Sequence, residues 1–190
     1  MPPKAKVSKE MIISEAFQIA RAEGIDKITA RRIAERLNCS TQPVLYYFST
    51  VDEIKAEVYR QADEYHTDWI MSMGHNDDPM LTIGINYIRF AVEERNLFHL
   101  LFQSNEFSGA TLIDLFQLEE LKPMIQLLAK EAEVTTHEAK EIFTTLAVFV
   151  HGYASLFANN EMIYDEKLLK KSLTNVFYGA VYAAKEDNND

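Results

Sequence analysis

Apolar residues recur at three- and four-residue spacing along almost the whole chain, and only five prolines and six glycines interrupt them. This spacing places apolar side chains on one face of an α-helix, whereas a half-buried strand needs strict alternation of apolar and polar residues. The pattern therefore predicts an all-α protein, built from successive helices that each bury one face.

Three short helices are predicted within the first 48 residues. Ser8 can cap the first helix, because its hydroxyl can accept a hydrogen bond from a first-turn N–H group, and Gly24 can end it. Thr29 can cap a second helix over the sequence TARRIAERL, and Ser40 can cap a third. Two short helices joined by a tight turn are typical of a helix-turn-helix.

The turn and the proline that follows it fit this assignment. Asn38 stands in the turn, and after glycine Asn is the residue best able to adopt left-handed backbone. With Ser40 as N-cap, Pro43 falls at the third helical position, where its missing N–H removes no intrahelical hydrogen bond. Pro43 therefore indicates the first turn of a helix rather than a break.

Longer helices are predicted for the rest of the chain. A fourth helix carries apolar residues at helical spacing from Ile54 to Met73, and residues 74–79 form the clearest break. Thr135 and Glu138 can form a capping box ahead of a helix that is apolar nearly all round. Further helical segments are predicted near 80–94, 96–106, 110–117, 119–133, 138–158 and 165–184.

Charge is distributed unevenly between the two parts of the chain. Residues 1–60 hold ten Lys and Arg against eight Asp and Glu, a net charge of +2, while residues 61–190 carry −12. A mildly basic first part beside an acidic remainder is expected if only the first part approaches phosphates. An acidic, solvated surface explains the second part equally well.

The sequence shows no sign of catalysis, a metal site, a cofactor or a membrane span. It has no Gly-rich phosphate loop, no nucleophile elbow and no HExxH motif, and Cys39 is its single cysteine. The first residues lack the apolar core of a signal peptide, and the longest apolar runs fall short of the ~20 residues that span a bilayer. We expect a cytoplasmic protein that is not an enzyme and binds neither metal nor cofactor.

The predicted third helix carries side chains suited to DNA. Gln can pair with adenine through two hydrogen bonds, a Thr hydroxyl can donate or accept, and a proline ring can pack on a thymine methyl. Neighbouring hydroxyls and cations can contact phosphates, although the tyrosines can equally be core aromatics and Arg31 part of a solvated face. The predicted DNA-binding residues are Thr29, Arg31, Ser40, Thr41, Gln42, Pro43, Tyr46, Tyr47 and Lys55.

The order of these residues resembles the N-terminal domain of TetR-family transcription regulators over residues 8–55. In that family a first helix is followed by T-x-R-x-I-A and then by a recognition helix that begins Val/Cys-Ser and ends aromatic-Phe. The matching residues are Thr29, Arg31, Ile33, Ala34, Cys39, Ser40, Tyr47, Phe48 and Ile54.

Two positions depart from the family pattern. Val51 stands where many members have a phosphate-contacting lysine, and Leu45 stands where many have tyrosine. Neither contact is carried over to this chain. Lys55 is our hypothesis for a replacement of the first.

The resemblance implies a DNA-binding domain over residues 1–50 and a ligand-binding and dimerisation domain over residues 51–190. It implies a homodimer that binds a double-stranded, pseudo-palindromic DNA operator and is released by a small-molecule effector, most simply as a repressor. The two C-terminal helices, with Gly152 and Gly179 permitting close approach, are the predicted dimer contact. The alternative is a helical interaction protein of the same fold that does not bind DNA.

The predicted effector is small and largely apolar. Residues 80–157 carry many large aromatic side chains together with a few polar groups that can orient a ligand. The alternative is that the same side chains fill one dry core. The candidate ligand-binding residues are Trp69, Asn86, Phe90, His99, Phe102, Gln103, Phe149, His151 and Tyr153.

Overall fold

Every regular element in the described part of the chain is a helix, as the apolar spacing predicts. The computed structural model describes residues 7–72, 78–103 and 121–186. The helices are α1 (Lys9–Glu23), α2 (Ala30–Arg36), α3 (Gln42–Tyr47), α4 (Val51–Met71), α5 (Pro79–Glu93), α6 (Arg95–Phe102), α7 (Lys122–Ala132), α8 (Thr136–Asn159) and α9 (Glu166–Glu186), with a 3₁₀ turn at Ile25–Lys27. The helix expected near 110–117 lies outside the described residues.

Three predicted N-caps are confirmed. The Ser8 hydroxyl accepts a hydrogen bond from the Met11 N–H at 3.3 Å, and the Thr29 hydroxyl accepts one from the Arg32 N–H at 3.1 Å. Thr135 and its partner three residues later form the full capping box. These interactions satisfy first-turn N–H groups that have no partner within the helix.

The prediction that Ser40 caps the third helix is wrong. Helix α3 begins at Gln42, and Thr41 is its N-cap residue but makes no side-chain cap hydrogen bond. The Thr41 carbonyl accepts from the Leu45 N–H at 3.0 Å, while Pro43 stands at the second helical position. The helix begins one residue later than expected, and Pro43 still falls in the first turn, where its missing N–H removes no intrahelical hydrogen bond.

The described chain falls into two compact units that do not follow the predicted functional boundary. The first unit combines residues up to 68 with residues from 93 onward in α6, and the second combines residues 69–92 with the later helices. Helix α4 therefore begins in the first unit and ends in the second. The functional division at residue 50 stays a prediction.

Five helices of the first unit share one apolar core. Its members are at most 2% exposed, and burying an aliphatic side chain of this size contributes about 1.5–3 kcal/mol. The main contributors are Ile12, Ala16, Ile19, Ile33, Ala34, Val44, Ile54, Val58, Ala62, Leu97, Phe98 and Leu101. The presence of α6 residues in this core explains why that helix belongs to the N-terminal unit.

A buried carboxylate also joins α6 to α1 and α4 within the first unit. Glu94 is 5% exposed, and it accepts hydrogen bonds from Arg21 Nε at 2.7 Å and from the Tyr65 hydroxyl at 3.1 Å. The Asn96 amide donates to the Arg21 carbonyl at 3.0 Å. Hydrogen bonding to Glu94 raises the pKa of Arg21. A buried carboxylate is tolerated only when it is paired in this way.

The second unit is built from α5 and α7–α9. A Cβ added to Gly84 on α5 would lie 2.7 Å from a Leu173 methyl on α9, so a larger residue there would require the Leu173 side chain to move. Helix α8 is long and apolar enough to cross a membrane by length and composition alone, with a mean hydropathy of 1.3 over its most apolar window. A core helix of a soluble protein passes the same test, so this is weak support for a membrane span.

Burial of His66 makes the stability of the first unit depend on pH. His66 lies on α4 with its ring 5.0 Å from that of Phe102, and burial lowers its pKa to about 4. Because an unfolded His titrates near 6.5, the unfolded state binds the proton first as the pH falls. The stability from neutral His66 is therefore present above pH ~6.5 and is lost progressively down to about pH 4.

We predict that the free energy of unfolding falls by about 2 kcal/mol between pH 7 and pH 5 because of His66 alone. Urea unfolding at the two pH values measures this change. His66→Leu should reduce the difference by that amount, whereas His137→Gln, at an exposed position on α8, should not. An unchanged pH dependence in His66→Leu would contradict the assignment.

Candidate nucleic-acid interface

Helices α2 and α3 are joined by a turn that requires left-handed backbone. Asn38 has φ 50°, as predicted from its residue type, and its N–H donates to the Glu35 carbonyl at 3.2 Å. The next N–H, of Cys39, donates to the Ala34 carbonyl at 3.0 Å. These two bonds end α2 and turn the chain into α3.

Helix α3 has one buried face and one exposed face. Val44 is fully buried, and Phe48, which follows the helix, is 3% exposed. On the opposite side Tyr46 is 81% exposed and Leu45 is 57% exposed. Tyr46 is therefore not the core aromatic that the sequence also allowed. Gln42 is exposed at the start of the helix.

The other predicted contact residues lie around this exposed face or beside the start of α2. Thr29 and Arg31 line an open concavity of about 360 Å³. Its remaining lining residues are Asp26, Lys27, Arg32 and Glu35. Ser40 is exposed, and Thr41, Pro43 and Lys55 are half-buried.

A second open concavity, of about 460 Å³, lies beside the end of α3. Tyr47 and Phe48 line it together with residues of α1 and α4. Lys9 reaches across it, with its ammonium 5.3 Å from the centre of the Phe48 ring and 3.1 Å from Glu57 Oε1. This hydrogen bond from Lys9 is the main reason why the pKa of Glu57 is lowered.

Glutamates pair with the arginines of this surface, a feature that the sequence analysis did not find. Arg31 Nε lies 2.9 Å from Glu35 Oε1, and Arg36 Nε lies 2.9 Å from Glu15 Oε2. Arg32 also forms an ion pair, with Glu23. The four-residue spacing could have indicated the first pair, but the other two join residues of different helices.

Three candidate ligand-binding residues contact the end of α4 or one another within the second unit. The Asn86 amide donates to the Ser72 carbonyl at 2.7 Å and to the Ile70 carbonyl at 3.3 Å. Trp69 Nε1 donates to the Asn86 carbonyl at 3.1 Å, and the Trp69 and Phe90 rings are 5.8 Å apart. The Asn86 amide group therefore donates hydrogen bonds to two carbonyls at the end of α4, where the last carbonyls of a helix have no partner within the helix.

His151 is also engaged by protein groups. Its Nδ1 lies 2.9 Å from the Tyr87 hydroxyl and its Nε2 lies 3.3 Å from the Ser155 hydroxyl. Burial lowers the pKa of His151 and raises that of Tyr87. Phe149 and Tyr153 contact each other on the same helix, with ring centres 5.0 Å apart.

The three remaining candidates, His99, Phe102 and Gln103, lie in the first unit. Phe102 packs against Phe98, and Gln103 is exposed. His99 Nε2 is buried without a hydrogen-bond partner in the described structure. Neither concavity described above includes any of the nine candidate ligand-binding residues. The effector pocket therefore stays a prediction.

Neither a candidate metal site in the described residues nor a similarity to a known protein adds to the functional interpretation of this surface. Over residues 7–72, 78–103 and 121–186, no group of three or more His, Cys, Asp or Glu side chains is placed to hold a metal ion. No family model, curated protein or solved structure matches the chain.

Proposed function

We propose that this protein is a homodimeric, effector-responsive transcription regulator of the cytoplasm that binds DNA with α3. The observation that carries the proposal is the exposure of Gln42, Leu45 and Tyr46 on a helix anchored by buried Val44 and Phe48. A short helix held from one side, after a tight turn, is the arrangement by which a helix-turn-helix presents side chains to the major groove.

The side chains around α3 would have two different roles in DNA recognition. Gln42 would contact adenine, and Pro43 would pack on a thymine methyl, so these residues would carry sequence preference. The hydroxyls of Tyr46 and Tyr47, with Lys55, would contact phosphates and fix the position of the helix on the duplex. Thr29 and Arg31 would contact the backbone from the start of α2.

The exposed sides of α8 and α9 support a dimer through the C-terminal helices. A Cβ placed on Gly152 or Gly179 would meet no atom within 4 Å, so both glycines border open space. Large apolar side chains are exposed on the same two helices, and an exposed apolar stripe of this kind is typical of an interface. They are Val148, Leu156, Leu168, Tyr178 and Tyr182.

A two-fold dimer would read a pseudo-palindrome, with half-sites about one helical turn or more apart, ~34 Å or beyond. A small apolar effector would release the DNA, and the protein would act as a repressor. By linkage, operator DNA must weaken effector binding by the factor with which the effector weakens operator binding. Helix α4, which begins in one unit and ends in the other, would transmit the change.

The alternative is an interaction protein of the same fold that does not bind DNA. Two observations favour it: the net charge is −10, and the sequence of α3, QPVLYY, contains no cation. Selection of duplexes from a random DNA pool separates the two functions. Enrichment of a pseudo-palindrome supports the regulator, and no enrichment at low salt supports the interaction protein.

On the selected duplex, Gln42→Ala should lose ~1–3 kcal/mol of binding free energy and discriminate less between bases at one position of each half-site. Tyr47→Phe should weaken all duplexes alike, because a phosphate contact carries no base information. Fluorescence anisotropy on the selected duplex and its single-base variants measures both effects. Gln18→Ala, at an exposed position on α1, is the control.

Equal and small losses for Gln42→Ala and Gln18→Ala on every duplex would show that α3 is not the reading helix. The proposed function would then lack its recognition element.

For the dimer, Tyr178→Glu should give a monomer and abolish binding to the selected duplex. Tyr178 is 66% exposed, so the charge should disturb association rather than the fold. Gln126→Glu adds the same charge at an exposed position on α7 and should leave the dimer intact. Sedimentation at micromolar concentration measures both, and a monomeric unsubstituted protein would contradict the interface.

A further inference from the structure

Every arginine in residues 7–68 is ion-paired with a glutamate. The pairs beside α2 involve Arg31, Arg32 and Arg36, as described above. Arg21 pairs with Glu94, and Arg60 pairs with two glutamates of its own helix. Residues 7–68 of the proposed DNA-binding unit therefore present guanidinium groups that are already paired with carboxylates.

Among residues 7–68, few cations remain that a phosphate could contact without competition from a carboxylate. Lys27 is exposed and Lys55 is half-buried, and neither forms an ion pair within the described residues. The exposed face of α3 is uncharged. Because neutralisation of phosphates supplies most sequence-independent affinity for DNA, residues 7–68 should attract a duplex only weakly by charge.

We infer that Glu35 and Glu23 act as internal competitors of DNA phosphate for Arg31 and Arg32, and so limit binding to duplexes of any sequence. The inference rests on the proposed function. It gives the two glutamates a role in specificity. They reduce the binding free energy that phosphate contacts contribute and leave the base contacts of Gln42 unchanged, so that stable binding depends on the DNA sequence.

The positions of the two pairs fit this role. Both arginines and Glu35 line the concavity that also holds Thr29, a predicted phosphate contact. The side chain of Arg31 is 86% exposed and that of Glu35 is 60% exposed, so both charges face an approaching duplex. An exposed ion pair four residues apart is weak, and it can be exchanged rather than being a fixed part of the fold.

The test measures affinity for a short mixed-sequence duplex that lacks the selected operator, by anisotropy between about 50 and 200 mM salt. Glu35→Gln and Glu23→Gln remove the charge and keep the shape of the side chain. Each should raise affinity for this duplex roughly three- to tenfold, and each should steepen the slope of log K against log salt by ~0.9 per arginine freed.

Two controls separate release of an arginine from a simple change in net charge. Glu64→Gln removes the same charge from α4, where Glu64 pairs with Arg60 at 2.6 Å and lines neither concavity. Its affinity for the mixed duplex should stay within about twofold of the unsubstituted protein, because Arg60 keeps its second partner, Glu57, at 3.2 Å and no arginine is freed. Adding Arg31→Gln to Glu35→Gln should remove the gain, because the gain passes through Arg31.

Equal gains for Glu35→Gln and Glu64→Gln, or a gain that persists without Arg31, would overturn the inference. Binding of the unsubstituted protein to its selected operator tests the proposed function separately, so that function can stand while the inference fails. If neither the unsubstituted protein nor any variant binds a duplex, both are overturned.

Discussion

Helix α3 depends on the burial of Val44 and Phe48. A helix of six residues is far too short to be stable by itself, since isolated helices below ~12–15 residues are marginal in water. It forms here because these two side chains enter the core shared by α1, α2, α4 and α6. Because one face is fixed from inside, Gln42, Leu45 and Tyr46 are exposed on the opposite side of the helix. The proposed recognition of DNA follows from that constraint.

Charged side chains also pair with one another in the first unit, both in its interior and on its surface. The buried Glu94 carboxylate is matched by Arg21 and the Tyr65 hydroxyl, which makes α6 part of the N-terminal unit. On the surface, glutamates neutralise the arginines beside the proposed contact residues, which suits a protein whose net charge is −10. Under the proposed function, recognition by residues 7–68 would come mainly from shape and from neutral side chains, because every arginine in that range is paired with a glutamate.

Most features set by neighbouring residues can be predicted from the sequence, although the predicted cap at Ser40 is wrong, and features set by distant residues cannot. Local spacing was enough for the caps at Thr29 and Thr135 and for left-handed Asn38, since each depends on a few adjacent backbone groups. The Arg21–Glu94 pair joins residues 73 positions apart, so no local pattern indicates it. The sequence predicts Asn86 as a polar group for a ligand, which stays a prediction. Its hydrogen bonds to carbonyls at the end of α4 could not be predicted, because residue type alone does not show which carbonyls lie nearby.

Amide hydrogen exchange with and without a duplex selected from random DNA tests most directly whether α3 binds DNA. If it does, exchange should be slower in peptides that cover α2, the turn at Asn38 and α3, because these segments would be held against the duplex. Peptides from α5 and α7 should exchange at unchanged rates. Unchanged exchange in α2 and α3, with protection confined to other helices, would contradict the claim that α3 is the surface by which this protein binds DNA.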